Sequence, residues 1–380
     1  MRRITRAPAP LVSLFALLAA CGASGTAPPP AGTAPVAFSD GPQMSAPRAT
    51  HALVTLPDGR VLAIGGCVRD GCEPGAASAT VDVIAADGKR LLGTGQLLVE
   101  RVQPVAATLP DGRVLIAGGW VERRVTRTTE IYNPATGRSV AGPDMAAPRS
   151  TPAILPLADG RVMIAGGYDG RSMRADAQIF DPATDSFTGT IAMTAPRGAA
   201  TATRLADGRI MLVGGSDSES RERRAVASTE FFDPETGRFE AGPDMAERRY
   251  KHGAVALPDG GLLVVGGADE RDYGGKLTSV ERYDPESGRF EAAGELARPR
   301  FKLADSVLLV APGKVLVAAG DERPELFDIA SGTGTLLPYS LDGQWNYMAL
   351  ARLGDGRALL AGGYREGRIV PTDRSWIVRF

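Results

Sequence analysis

Arginine recurs at one register along this chain. Arg48, Arg101, Arg149, Arg197, Arg249 and Arg300 each stand shortly before an apolar run that leads towards a glycine doublet or its equivalent, and Trp345 takes the seventh place. The residues that follow the doublets are Cys67, Trp120, Tyr168, Ser216, Ala268, Asp321 and Tyr364. A guanidinium offers parallel donors to a carboxylate, and an aromatic plane offers a stacking surface. Six such cations interleaved with Trp120, Tyr168, Trp345 and Tyr364 suit carboxylates, acidic peptides or sugar acids. A structural use of the same arginines stands beside that one, because Glu130, Glu230, Glu281 and Glu325 could pair with them between strands.

Other chemistries find less material. His51 and His252 sit three residues after Arg48 and Arg249, in repeats one and five, and a metal would need both rings within about 2.1 Å. Buried, hydrogen-bonded histidines are expected there, with no metal and no cofactor. The chain has 3 Cys, no Cys-x-x-Cys, no Gly-x-Ser-x-Gly elbow and no Gly-Lys-Ser/Thr after a glycine doublet. No catalytic residue is assigned.

The elements that position these residues are written as a repeat. HALVTLPDGRVLAIGG (51–66) returns as PVAATLPDGRVLIAGG (104–119), and the form continues to MALARLGDGRALLAGG (348–363). The last glycines fall at 66, 119, 167, 215, 267, 320 and 363, so the period is near fifty. Asp-Gly at 58–59, 111–112, 159–160, 207–208, 259–260 and 355–356 signals a hairpin, expected as a type I′ turn. The short Val, Leu, Ile and Ala runs on either side read as strands buried on both faces. A second hairpin follows, as in Glu130-Ile-Tyr-Asn-Pro and Glu230-Phe-Phe-Asp-Pro. The 47 Gly and 28 Pro of the 380 residues are largely absorbed by these turns, and so many breakers exclude a helical protein.

The Gly-Gly doublet, the aromatic-Asp-Pro turn and the Met-x-x-x-Arg approach resemble kelch repeats over about 340 residues. The resemblance implies an all-β, seven-bladed β-propeller of kelch type over 36–380. After Gly363 only TDRSWIVRF (372–380) remains for a strand, so blade seven is one strand short. The segment 36–44 is similar to 239–245 and is expected to complete it. In such a ring the arginines and the post-doublet residues would open to one face as a central funnel, the face that kelch propellers use for acidic peptides. A copper-radical oxidase of the galactose-oxidase type, another kelch-like propeller, would need a Cys–Tyr cross-link as well as two His. Here only Cys67 and Cys72 remain in the body, with no His nearby.

The start of the chain reads as an address. Arg2, Arg3 and Arg6 precede a ten-residue apolar run, Leu11 to Ala20, too short to span a bilayer. Leu18-Ala19-Ala20-Cys21 resembles a bacterial lipobox. That implies a lipoprotein signal peptide over 1–20, lipidation of Cys21, and a flexible linker over 21–35. Gly22 in place of Asp favours, by the same resemblance, the outer membrane. In an exported, oxidising setting Cys67 and Cys72 are expected to form a disulfide. With 43 basic and 44 acidic residues and no basic block, nucleic acid is not an expected partner.

The expectation is therefore a monomeric, lipid-anchored envelope propeller that binds a protein, acidic peptide or carbohydrate at an Arg- and aromatic-lined funnel. Its contact with the membrane is through the lipid alone. The alternative is an envelope enzyme similar to the kelch mutarotases of sugar acids, with Asp169, Asp217 and Asp321 as acid–base groups.

Overall fold

Short apolar runs punctuated by Gly and Asp leave each repeat a small antiparallel sheet. In the second repeat Val105–Thr108, Val114–Ala117, Thr129–Asn133 and Arg138–Ala141 pair in that order. The fourth does the same with Thr201–Arg204, Ile210–Val213, Thr229–Asp233 and Arg238–Ala241. The computed structural model describes residues 36–72, 75–218, 224–303, 305–367 and 369–380. The signal peptide, Cys21 and the linker expected over 1–35 lie outside the described residues. Among the described residues there is no α-helix, only strands and two short 3-10 turns, Asp70–Cys72 and Asp272–Gly275.

The last sheet is assembled from both ends of the described chain. Ala349–Leu353, Arg357–Ala361 and Ser375–Arg379 pair in sequence, and Ala37–Asp40 adds the outer strand with Ala37 opposite Arg379 and Asp40 opposite Trp376. Met44 then packs into the sheet, its N–H donating to the Asp373 carbonyl at 2.8 Å. Innermost strands of successive repeats lie side by side, and Ala349–Leu353 lies against Ala52–Thr55. The core sits between sheets rather than within them. Leu115, Ile131 and Met145 of the second repeat, for example, pack with Val162, Ile164 and Phe180 of the third. Every residue of the second strands Val114–Ala117, Val162–Ala165 and Ile210–Val213 is buried.

Hydrogen bonds tie each repeat to the next. The N–H of Gly66, Gly119, Gly167, Gly215, Gly267 and Gly320 donates to the carbonyl of Arg101, Arg149, Arg197, Arg249, Arg300 and Trp345, at 2.8–2.9 Å. Gly363 donates in turn to Arg48 at 2.9 Å, which links the last repeat to the first. Glycine is required at the doublet. At Gly266 (φ +57) a Cβ would come 2.6 Å from the Arg300 carbonyl oxygen.

Five of the six Asp-Gly turns differ from expectation. In these only Gly59, Gly112, Gly160, Gly208 and Gly260 have positive φ, so they are not type I′, whereas Asp355 (φ 59°) and Gly356 (φ 65°) both have the positive φ that type I′ requires. Gly59 N–H donates to Leu56 and Leu56 N–H to Arg60, the pattern of a type I turn closed by a left-handed glycine. The aspartate serves another purpose, accepting the N–H two residues on, as Asp111 does from Arg113 at 3.0 Å.

Candidate functional site

The six arginines do not line an open funnel. All are buried to within 1% of full enclosure, each against a carboxylate: Asp82, Glu130, Asp176, Glu230, Glu281 and Glu325, at 2.8–3.2 Å. Each guanidinium also donates to backbone carbonyls, as Arg197 does to Gly214 and Ser228, both at 2.9 Å. These donors hold the doublet and the third strand together from inside the sheet. Their charge is satisfied within the protein, which leaves no free fork for a ligand. Trp345 is also buried, its Nε1 donating to the Leu341 carbonyl at 2.9 Å. In that repeat Trp376 takes the register held by Asp82, Glu130, Glu230, Glu281 and Glu325 elsewhere and by Gln178 in the third repeat, and the two indoles lie 6.5 Å apart in place of an ion pair.

The expected aromatics fare differently. Trp120 and Tyr168 are half-buried, 6.2 Å apart, and line one cavity of about 240 Å³ with Ser150, Tyr250, Lys251 and Tyr347. Tyr364 lines another, of about 390 Å³, with Trp120, Gln103 and Tyr347. A third cavity, of about 260 Å³, is walled by the innermost strands.

What lines these spaces is a ring the sequence did not announce. Two residues after each arginine, and after Trp345, the chain turns inward through a left-handed residue: Thr50, Gln103, Thr151, Ala199, Lys251, Lys302 and Tyr347, with φ from 50° to 60°. That conformation is costly for side chains other than glycine, and most of all for β-branched threonine. Neighbouring members hydrogen-bond through their backbones, Gln103 N–H to Thr50 (3.1 Å) and Ala199 N–H to Thr151 (3.1 Å) among them. All but Lys302 line the 260 Å³ cavity. The available signal was the register itself, two places beyond a constant Arg, at which residue type varies.

The ring carries a cluster of cations. The chain has five lysines among 43 basic residues, and three of them meet here. Lys302 Nζ lies 2.6 Å from both the Tyr273 and Tyr364 hydroxyls and above the rings of Tyr273 (4.1 Å) and Phe301 (4.5 Å). Lys276 Nζ is 2.5 Å from Glu366 Oε1 and 5.0 Å from the Phe301 ring centre. Lys251 Nζ is 3.2 Å from Asp272 Oδ1, which also accepts from the Tyr250 hydroxyl at 2.6 Å. Burial first, and then the charge of Lys251, push the Lys302 ammonium down to about 7. Burial and the Tyr273 hydroxyl hold Tyr364 well above the usual phenol range. Perturbed groups gathered beside a cavity mark a candidate site.

The remaining candidates separate cleanly. His252 Nε2 is 3.0 Å from Thr201 Oγ1, and burial with a nearby arginine pushes both His51 and His252 down to about 3, so both are neutral. Cys67 and Cys72 are joined by a disulfide. Asp169 and Asp321 close turns, accepting from the N–H of Arg171 and Arg323. Asp217 heads the loop that runs into residues 219–223, outside the described residues. Asp305, by contrast, is exposed on the wall of the 260 Å³ cavity.

Residues 102–146 match the kelch motif. That is the second repeat, from Val102 through Ala146. No curated protein sequence matches the chain. Among solved structures the fold is similar to a fungal alcohol oxidase of the AA5 family in complex with copper, at a TM-score of 0.66 and 14% identity. The similarity covers 90% of this chain and 75% of that one. At that identity the shared property is the fold. The residues here do not fit a copper centre: among the described residues no three His, Cys, Asp or Glu side chains gather to hold a metal. Cys67 and Cys72 are spent on each other, so neither can be cross-linked to a tyrosine.

Proposed function

We propose that residues 36–380 form a seven-bladed kelch-type β-propeller that binds an anionic carbohydrate at the mouth of its central channel. The closed cycle of Gly-to-Arg and Gly-to-Trp hydrogen bonds supports the ring, as does the Ala37–Asp40 strand paired with Ser375–Arg379. The lipobox-like Leu18-Ala19-Ala20-Cys21 supports a lipid anchor in the bacterial envelope, at the outer membrane, with the body acting as a binding or scaffolding module.

The observation that carries the binding reading is the lysine cluster. Among the described residues Lys251 pairs with Asp272 and Lys276 with Glu366, and Lys302, when protonated, adds a third positive charge beside them. Lys251 lines the same cavity as Trp120 and Tyr168, whose faces suit a sugar ring while the ammonium suits its carboxylate. Titration of the purified protein with glucuronate and with glucose, followed by protein NMR, tests this. Glucuronate should bind and glucose should not. Replacing Lys251 and Lys276 together by Met should weaken glucuronate about tenfold or more, which is about 1.4 kcal/mol. Unchanged affinity would overturn the reading.

Asp305 favours a second reading, an enzyme that opens or epimerises a sugar acid. It is an exposed carboxyl on the channel wall, within reach of a bound sugar as an acid–base group must be. The same spectra report it, because catalysis would raise exchange between the sugar's anomers above the buffer rate.

A further inference from the structure

We propose that Lys302 is a nucleophilic amine that captures the carbonyl of a small keto or aldehyde acid as an imine. The inference rests on the reading that this mouth binds an anion, and it narrows the ligand to one with a carbonyl beside its carboxylate.

The geometry is that of a protected amine. Lys302 is 4% exposed, and the atoms nearest its Nζ are phenol oxygens and ring carbons rather than a carboxylate. Lys251, Lys276 and Lys314, by contrast, pair with Asp272, Glu366 and Asp328. Such surroundings favour the neutral, nucleophilic form over the ammonium, in line with its lowered affinity for the proton. Lys251 and Lys276 lie near the same Phe301 ring, 5.8 and 5.0 Å from its centre. Tyr364 lines a cavity and touches the amine, so the amine lies one side chain behind the wall. Tyr273, on the four-residue turn Asp272–Gly275, is the exposed ring of the group at 45% and is the one to swing aside for a ligand.

The step balances without an oxidant or a metal. The Nζ lone pair attacks the carbonyl carbon, the C=O π pair moves to oxygen, and proton transfer gives a carbinolamine. The carbinolamine oxygen then leaves as water, with a proton delivered by the Tyr364 or Tyr273 hydroxyl. The phenol recovers its proton from nitrogen as the C=N bond forms. The net change is amine plus carbonyl to imine plus water.

The experiment treats the full chain with pyruvate and cyanoborohydride near pH 7, then maps the reduced adduct by peptide mass spectrometry. The expected result is modification of Lys302 at least about tenfold above Lys89 and Lys314, which lie outside the cluster. Modification spread evenly over the five lysines, or absent from Lys302, overturns the proposal and needs no variant. Lys302→Met should remove the adduct while pyruvate still perturbs the spectra of Lys251 and its neighbours. Binding of pyruvate without an adduct refutes capture and leaves the anion site standing. Neither binding nor adduct refutes both.

Discussion

Arg197 and Lys302 are both buried cations, and the protein treats them in opposite ways. Arg197 meets Glu230 at 2.8 Å and two backbone carbonyls at 2.9 Å, so its charge is neutralised and its donors are used. Lys302 meets two phenol hydroxyls at 2.6 Å and aromatic faces. The first arrangement recurs through six repeats and belongs to the frame. The second occurs where loops of the fifth, sixth and seventh repeats converge, and it leaves reactivity unspent. A buried charge with a partner is architecture; one held short of a partner is available for chemistry.

The largest test of that contrast removes a frame carboxylate. Glu230→Ala strands the Arg197 guanidinium inside the sheet and should cost about 3–5 kcal/mol in urea unfolding. Replacing both members with apolar residues, Arg197→Leu with Glu230→Leu, should cost less than the single change. The seventh repeat shows the precedent, since Trp345 and Trp376 fill the same two places without charge. A double variant no better than Glu230→Ala would mean that the arginine's bonds to Gly214 and Ser228, rather than the ion pair, hold the repeat.

Much of this frame was legible in the sequence because backbone geometry dictates it. The doublets had to be glycine where Gly266 and Gly362 approach a neighbouring carbonyl, and their spacing located the strands. The supply of the last outer strand from 36–44 was legible too, since the end of the chain offered one strand too few. The arginine register was visible, but its role was not. Whether a guanidinium faces a cavity or a strand carbonyl depends on which carboxylate lies across the sheet, and Asp82 and Asp176 gave no periodic sign of themselves. Asp-Gly suggested type I′ turns because that pair serves several hairpin loops equally well. The left-handed ring could not be read at all, since Thr50, Gln103 and Tyr347 are not residues that advertise positive φ. The lysines were noticeable by their scarcity, yet nothing local says that 251, 276 and 302 meet.

A pH titration sharpens the other side of the comparison. Lys302 is held near 7 in the folded chain, against about 10.4 when unfolded. Between those values the unfolded chain carries more protons, so stability should rise with pH from about 7 towards 10, and the cost is full below 7. The contribution to the slope is at most about 1.4 kcal/mol per pH unit. Lys251, Lys276, Asp272, Glu366 and the hydroxyls of Tyr273 and Tyr364 face the same amine, so the quantity to measure is a difference of slopes. Lys302→Met should flatten the curve over this range relative to the parent chain. Parallel curves would mean that Lys302 keeps its proton like any surface amine, and the contrast with Arg197 would lose its chemical half.

The smallest effect is expected at Lys314, which provides the scale for the rest. Its ammonium pairs with Asp328, but both side chains are about one-third exposed, 34% and 33%, where the second and third strands of the sixth repeat pair. Water and salt screen such a pair, and two long side chains lose rotamer freedom to hold it, so exposed pairs are worth about 0–1 kcal/mol. Lys314→Ala should therefore shift the urea midpoint slightly or not at all, and it should leave glucuronate binding unchanged. A loss comparable to that from Glu230→Ala would show that partial exposure does not separate frame charges from surface ones. Burial and the identity of the partner would then no longer sort the cations of this protein into structural and chemical sets.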